Sequence, residues 1–410
     1  MRILLLTAGS RGDVDPFLAL AHRAAAAGHE VVLGVTREFV DGARLAATEG
    51  ADGGAPRFEV AALDGDFAAV VEAQGVSPWA AARAFRSTVA PMMAGMLRSA
   101  VRVAMERRPD VIVHHPKVLS AAVAAARLDR PRVLVEIVPT LTPTREFPAA
   151  GITTTGLGPL NPLTYRLAAA AGAVFRGVLR DLRAEAGLPT RGALPGPART
   201  LVPVSPALLP RPADWPAATV LTGQWTRPER PAAADPELAD FLRAGRVLCA
   251  GFGSMADGDP ERRARALVGA AREHDLRVLL VTGWGGLRLP GDLAGDDVLV
   301  RSAVAHGHVL PLCAAAVHHG GAGTTHAVVR AGIPSVVVPF LADQPFWAHL
   351  LHRRGLAAPP VPSRRLDRRR VAAALGALPG AAAVQVVADR MAHDDGCGAA
   401  LDAVEHSEAR

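Results

Sequence analysis

The sequence predicts an α/β protein: two Rossmann-like, doubly wound parallel-sheet domains followed by one or two C-terminal helices. Three observations carry that expectation. The chain opens on a βαβ pattern, the pattern gives way to a proline-dense stretch past the middle, and it then restarts. With 410 residues, half of them hydrophobic, there is enough chain to bury two cores.

The first element is RILLLT (Arg2–Thr7), an almost continuous apolar run that suits a strand covered on both faces. Ala8–Pro16 reads as a glycine-containing loop, with Pro16 in a first helical turn. Phe17–Ala27 reads as a helix stopped by Gly28, and His29–Thr36 as the second strand. Further strands are expected at Phe58–Ala61, Val111–His115, Val133–Val138 and Leu201–Val204, with alanine-rich helices between them. Residues 63–98 stand apart, because Phe67, Trp79, Phe85, Met92, Met93 and Met96 lie among helix formers. They form either an ordinary helical core or the wall of an adaptable apolar pocket, since methionine repacks easily.

Prolines crowd from Pro210 to Pro236, the best interdomain linker in the chain. Strands are then expected at Arg246–Ser254, Arg277–Gly283, Val298–Arg301, Ala314–His319 and Ile333–Phe340. Helices are expected at Pro260–Arg272, Gly323–Arg330 and Gln344–Arg354. The resulting division is an N-terminal domain over 1–212, a linker over 213–240, a C-terminal domain over 241–384 and a helical tail over 385–410 that can pack back on the first domain.

Composition narrows the function classes. Cys249, Cys313 and Cys397 lack metal-ligand spacing, and their odd number argues against a disulfide framework, so buried free thiols are expected. The net charge is +6, carried by arginines except for Lys117, the only lysine. The arginines are scattered without an aromatic-interleaved stripe, so nucleic acid is not an expected partner, whereas an anionic small molecule is compatible. No membrane-spanning helix is expected: the nearest candidate, Val371–Ala388, is broken by Pro379, Gly380 and Gln385. The N-terminal apolar run is too short for a secretion signal, which points to the cytoplasm. The G-x-G-x-x-G fingerprint is absent after the first strand, so a nicotinamide cofactor is not supported.

The chemistry gathers at the carboxyl ends of the strands, where open α/β sheets bind ligands. HHGGAGTT (His318–Thr325) runs from a strand end through a turn into a helix start. Free N–H groups and the helix dipole favour an anion there. Gly320, Gly321 and Gly323 permit close approach, Thr324 and Thr325 add hydroxyls, and His319 adds a ring N–H, so the constellation suits a diphosphate. No lysine follows the glycines, so this is not a Walker A loop. Gly253–Ser254 ends another strand and can add phosphate donors. Asp343–Gln344 pairs a carboxylate with an amide, a sugar-like pattern, though Asp343 also reads as a helix N-cap. Asp13 is a candidate general base on the loop after the first strand; Asp15, directly before Pro16, is the better placed cap. A second carboxylate nearby is a way to raise the pKa of the first.

These residues resemble a known family. HHGGAGTT with RAGIPSVVVPFLADQPFWA (Arg330–Ala348) resembles the donor-binding signature of nucleotide-sugar-dependent glycosyltransferases of the GT-B fold. TAGSRGDVDPFLAL (Thr7–Leu20), LTPTREFP (Leu141–Pro148), SPALLPRPADWP (Ser205–Pro216) and LTGQW (Leu221–Trp225) resemble its sterol-glucosyltransferase and glycopeptide-antibiotic branch. The resemblance spans nearly the whole chain. It implies two domains facing across a cleft and an inverting transfer from a UDP- or dTDP-sugar to a hydroxyl of a largely apolar small molecule. It implies no metal and no cofactor beyond the nucleotide-sugar co-substrate. By position it implies that His319, the backbone from Gly320 to Thr325 and Ser254 hold the diphosphate, that Asp343 and Gln344 bind the sugar, and that Asp13 is the base. Ser10, Arg11 and Gly12 then lie beside the reaction centre. The acceptor is expected near residues 63–96 and 141–166, with Phe67, Trp79, Phe85, Met92, Met96 and Phe147 as candidate lining.

The chain also departs from the family. Asp15 stands where sterol-type relatives usually carry glutamine. Ala327 stands where plant relatives carry a ribose-binding glutamate, and no stacking tryptophan occurs around Ala303. The choice between uridine and thymidine stays open, with His306 and His308 in the loop expected to meet the base. Two rival readings are a nucleotide-sugar epimerase of similar fold and a catalytically silent nucleotide-sugar-binding partner. The Met and aromatic cluster weighs against the first; Asp13, His319 and Asp343–Gln344 weigh against the second.

Overall fold

Two all-parallel sheets organise the chain in a computed structural model that describes residues 1–48, 57–65, 85–227, 235–253, 255, 258–283 and 285–407, with only the backbone of Phe85 and Arg86. The first sheet contains β1 (Arg2–Leu6), β2 (Glu30–Thr36), β3 (Glu59–Leu63), β4 (Val111–His114), β5 (Arg132–Val135), β6 (Arg199–Val202) and β7 (Thr219–Leu221). Their order is β3-β2-β1-β4-β5-β6-β7. The second contains β8 (Val247–Gly251), β9 (Arg277–Val281), β10 (Val298–Arg301), β11 (Ala315–His318) and β12 (Ser335–Val337), in the order β10-β9-β8-β11-β12.

Both sheets start in the interior and wind first one way, then the other. β1 pairs with β2 on one side and β4 on the other; β8 pairs with β9 and β11. The β1/β4 and β8/β11 boundaries are therefore the points where the following loops diverge and leave a crevice.

Helices cover the first sheet at α1 (Arg11–Ala26), α2 (Arg37–Thr48), α3 (Ala90–Arg107), α4 (Ala121–Leu128), α5 (Asn161–Ala170) and α6 (Arg176–Glu185). The second has α7 (Pro236–Arg243), α8 (Pro260–Arg272), α9 (Ala322–Arg330), α10 (Gln344–Arg353), α11 (Arg368–Gly376) and α12 (Ala381–Met391), and α13 (Gly396–Glu405) ends the chain. Leu4, Leu6, Val32, Leu63, Met96, Leu97 and Ile112 share the first core; Leu248, Phe252, Leu267, Val278, Val317 and Val336 share the second. No single helix among the described residues is long and apolar enough to cross a membrane. All three cysteines are buried free thiols.

The chain divides into two compact units, one of Met1–Ala149, Leu157–Arg227 and Asp394–Arg410, the other of Ala150–Gly156 and Pro228–His393. This corrects the expected linker over 213–240. Its first part forms β7 and a corner where the Trp225 indole donates to Thr222 Oγ1 at 2.9 Å, all within the first unit. An edge strand tolerates the flanking prolines because only one side of it pairs. The tail belongs to the first unit only from Asp394, not from 385. There His29 Nε2 meets Glu405 Oε1 at 2.7 Å, and Arg23 pairs with Asp395 at 3.0 Å.

The start of α1 differs as well. Pro16 lies inside the helix, which begins five residues earlier at Arg11 with Ser10 as N-cap. The methionines settle as core: Met96 and Met93 are buried in the first unit, and Met92 packs against them beside Gly65. Phe67 and Trp79, and the Phe85 side chain, lie outside the described residues.

The tail docks through a close backbone approach. A Cβ on Gly396 would lie 2.6 Å from the Gly223 carbonyl oxygen and closer still to that of Gln224. We predict that Gly396→Ala destabilises the first unit by about 1–3 kcal/mol. Urea unfolding followed by tryptophan fluorescence checks this; an unchanged midpoint would contradict it.

Candidate active site

Asp13 is placed by the strand-to-helix turn that follows β1. As the third residue of α1 it reaches back, and its Oδ2 accepts from Ser10 N at 2.6 Å and Ser10 Oγ at 3.0 Å. This is one half of a capping box, so Asp13 rather than Asp15 serves the helix start. Asp15 is turned to Arg11 at 3.0 Å and does not join Asp13. The expected second carboxylate is thus replaced by cationic and imidazole partners from the loop after β4. Lys117 Nζ donates to Asp13 Oδ2 at 2.9 Å, and His115 Nε2 lies 3.1 Å from Oδ1. Because β4 adjoins β1, these partners meet across the first switch point.

The electrostatics run opposite to the sequence expectation. Burial pushes the Asp13 carboxyl up, but the Lys117 ammonium and the His115 hydrogen bond outweigh it and hold the group well below the usual carboxylate range. His115 is held below the usual histidine range, first by burial, with Asp13 opposing. Its Nδ1 accepts from Lys117 N at 3.2 Å, which leaves the proton on Nε2 to donate to Asp13. His114 braces the turn: its Nδ1 donates to the His115 carbonyl at 3.2 Å, and its Nε2 accepts from Arg132 at 3.2 Å. Gly9 is required here. Its φ is +134°, and a Cβ would fall 2.9 Å from Asp13 Cγ and closer still to Asp13 Oδ2 and Lys117 Nζ.

The second unit presents HHGGAGTT at the β8/β11 boundary. His318 ends β11, and its buried ring takes the Gly320 N–H on Nδ1 at 3.2 Å while Nε2 faces Ser335 Oγ at 3.3 Å. His318 is therefore a brace for the turn, and the Gly320 N–H is already spent, a correction to its expected role as a diphosphate donor. Gly320 remains essential, with φ +88° and a Cβ position 2.7 Å from Val337 Cγ1. The His319 ring occupies a slot made by two missing side chains: a Cβ at Gly253 would lie 3.3 Å from its Cε1, and one at Gly321 2.5 Å from its Nε2. Among the described residues, its buried Nδ1 has no hydrogen-bond partner.

Gly321 caps α9, and the first helical bond runs from Thr325 N to Gly321 O at 2.9 Å. The N–H groups of Ala322, Gly323 and Thr324 precede it and are the donors that a helix start leaves open. Gly323 is exposed with open space around its Cα, and Thr324 is half-buried. Thr325 is wholly buried and its Oγ1 has no partner among the described residues, so the surface hydroxyl of the pair is that of Thr324.

The second motif also has internal duties. Gln344 is buried; its Oε1 accepts from Phe340 N at 2.7 Å and Leu341 N at 3.2 Å, and its Nε2 lies 3.5 Å from Met255 Sδ. Asp343 makes no side-chain cap and instead accepts the Trp347 indole N–H at 2.8 Å on Oδ2. Trp347 stands edge-on to His326 of α9 at 5.5 Å, so Asp343 is tied through one ring to the helix that carries the glycines. Ser254 lies outside the described residues. In the first unit, Ser10 caps α1, Arg11 is largely exposed, and a Cβ on Gly12 would lie 3.6 Å from Ser10 Oγ, an ordinary contact. Phe147 is half-buried, edge-on to Trp215 at 6.4 Å.

Comparison with known proteins converges on one family. Residues 290–400 match the erythromycin biosynthesis protein CIII-like C-terminal domain, and residues 3–48 match the glycosyltransferase family 28 N-terminal domain. The chain is 37% identical over 400 residues to O-mycaminosyltylonolide 6-deoxyallosyltransferase of Streptomyces fradiae, covering 92% of this chain and 89% of that protein. It is 32% identical over 381 residues to vancomycin aglycone glucosyltransferase of Amycolatopsis orientalis, covering 88% and 87%. The chain belongs to the natural-product glycosyltransferases. A sterol 3-beta-glucosyltransferase of Arabidopsis thaliana is 30% identical over 402 residues, spanning 88% of this glycosyltransferase and 58% of that protein. Its fold is GT-B: the solved glycosyltransferase of kitacinnamycin superposes with a TM-score of 0.74 at 21% identity, covering 99% of each chain.

Sequence reading of this glycosyltransferase missed His115 and Lys117. The available signal was the only lysine of the chain, in HHPK at the end of the strand expected at Val111–His115. It also left His318 unassigned, because a brace is visible only once β12 lies alongside.

Buried histidines make the second unit acid-sensitive. Burial pushes His318 down to about 3 and His319 and His326 down to about 4, below the ordinary value of 6.5. The unfolded chain therefore binds more protons than the folded one between about pH 6.5 and 4, and stability falls as pH falls through that window. Unfolding of the second unit is expected at lower urea at pH 5 than at pH 7, and His326→Gln should lessen the difference. A pH-independent midpoint would contradict this.

Proposed function

We propose that this glycosyltransferase moves a sugar, with inversion and without a metal, from a UDP- or dTDP-sugar to a hydroxyl of a largely apolar natural-product acceptor. The observation that carries the reading is a division of chemistry between the two switch points. The first holds an ionised carboxylate; the second holds a neutral histidine and open N–H groups at a helix start.

In the proposed reaction the acceptor oxygen forms a bond to the anomeric carbon while that carbon's bond to the diphosphate oxygen breaks. The acceptor proton passes to Asp13 Oδ1, and the electron pair of the broken bond goes to the diphosphate. Oδ2 already has three donors, whereas Oδ1 has His115 alone among the described residues, so Oδ1 is the free acceptor. A carboxylate this well stabilised is a weak base towards a free alcohol. It takes the proton late, once bonding to carbon has made the hydroxyl strongly acidic. On the donor side, Ala322, Gly323 and Thr324 N–H and the His319 ring receive the growing charge of the diphosphate. Asp343 and Gln344 support the sugar, Gln344 through its Nε2.

The relatives suggest acceptors: O-mycaminosyltylonolide, vancomycin aglycone and a sterol are in their names. One fold neighbour, at 21% identity, was solved with thymidine diphosphate, which keeps dTDP-sugars in view beside UDP-sugars.

The test is incubation with UDP-glucose or dTDP-glucose and each of O-mycaminosyltylonolide, vancomycin aglycone and cholesterol. A glycoside of inverted anomeric configuration is expected. Isomerised sugar without a glycoside would support an epimerase instead. Asp13→Asn should lower transfer by about 10²–10⁴-fold with nucleotide affinity unchanged. His319→Ala should weaken UDP or dTDP binding, read by calorimetry, by about tenfold.

A further inference from the structure

Lys117 is the only lysine in a chain whose other Lys/Arg-type cations are all arginine. Its Nζ touches Asp13 Oδ2, its backbone N–H holds His115 Nδ1, and His115 Nε2 touches Asp13 Oδ1. The three residues His115–Pro116–Lys117 thus hold both carboxylate oxygens from one loop.

We infer that Lys117 is a positioning residue for the transfer: by neutralising Asp13 Oδ2 it keeps the carboxylate ionised and turned so that Oδ1 alone meets the acceptor hydroxyl. This rests on the reading of Asp13 as the base. The geometry also accounts for a lysine at this place. On the Gly9 side the space beside Nζ is so narrow that a single Cβ would overfill it, and a lysine brings a compact ammonium to it.

The consequence for pH follows from the groups that face Asp13. The loop after β4 supplies Lys117 and His115; on α1 the nearest charges, Arg11 and Asp15, are paired with each other. Phe17 packs edge-on to His115 at 6.4 Å and to Trp225 at 6.1 Å, and brings no charge. Without the ammonium, burial is opposed by His115 alone, through its hydrogen bond and its charge when protonated, so Asp13 protonates at a higher pH and the base is lost first on the acid side.

The experiment has two arms, both on the full chain. The first is the pH profile of kcat/KM for Lys117→Met, a variant that keeps the length and the apolar stem. It uses whichever of the three acceptors gives product, or water in donor hydrolysis where none does. Rates are read as the ratio of variant to wild type at each pH, so that the acid lability of the second unit cancels. The ratio should fall about tenfold or more from pH 8 to pH 5.5. A ratio flat with pH overturns the role of Lys117 while leaving Asp13 untouched. The second arm needs no turnover. Labelling lysine with 15N at Nζ gives a single side-chain resonance, which should move in Asp13→Asn. An unmoved resonance overturns the pair itself. Transfer retained by Asp13→Asn, with the resonance moved, overturns the base assignment and with it the role of Lys117, while the pair stands as structure.

Discussion

A doubly wound parallel sheet must reverse direction somewhere, and the loops on either side of that reversal have no neighbour to fill the space between them. This constraint governs the chemistry of the chain twice. At β1/β4 it brings the α1 start and the loop after β4 together, and with them Asp13, His115 and Lys117. At β8/β11 it opens the space into which the glycine turn before α9 projects. Neither cluster needs a special fold to form; each needs the right side chains at the carboxyl ends of two adjacent strands.

Backbone economy makes both clusters possible. Gly9 and Gly320 adopt positive φ at places where a Cβ would also collide, and Gly253 and Gly321 clear the slot for the His319 ring. These glycines are costly in conformational entropy, and their presence at loop ends rather than in strands confines that cost to the sites. Several polar groups then serve the scaffold first. His318 takes the Gly320 N–H, Gln344 takes the 340–341 turn, and Asp343 takes the Trp347 indole. Among the described residues, the groups with capacity left are fewer than the motif suggests: the first three N–H groups of α9, His319, Thr324 and Asp13 Oδ1, which has His115 alone.

How much of this was legible in the sequence follows from the range of each interaction. β1, β8 and β11 are readable because a strand covered on both faces must be apolar throughout, and α8 and β10 end where local caps and turns end them. β7 was not readable: three residues at a sheet edge between prolines carry too little pattern. The start of α1 was misplaced because Pro16 imitates a first-turn proline, whereas the Ser10–Asp13 pair sets the true start. HHGGAGTT could be placed from local chemistry as a turn between a strand end and a helix start. Which of its donors were already engaged could not be read, because Ser335 and Val337 come from another strand. The Lys117–Asp13 pair joins residues far apart in sequence and becomes visible only when β4 is laid against β1.

In the proposed reaction a carboxylate of the first unit takes the proton and the start of α9 in the second unit holds the diphosphate. Amide hydrogen exchange on the full chain, with and without UDP or dTDP, measures that division most directly. Nucleotide should slow exchange at Ala322, Gly323 and Thr324, change it little at the already bonded Gly320 and leave the residues around Asp13 unchanged. Slowed exchange at Ser10–Asp13 with none at α9 would contradict that division.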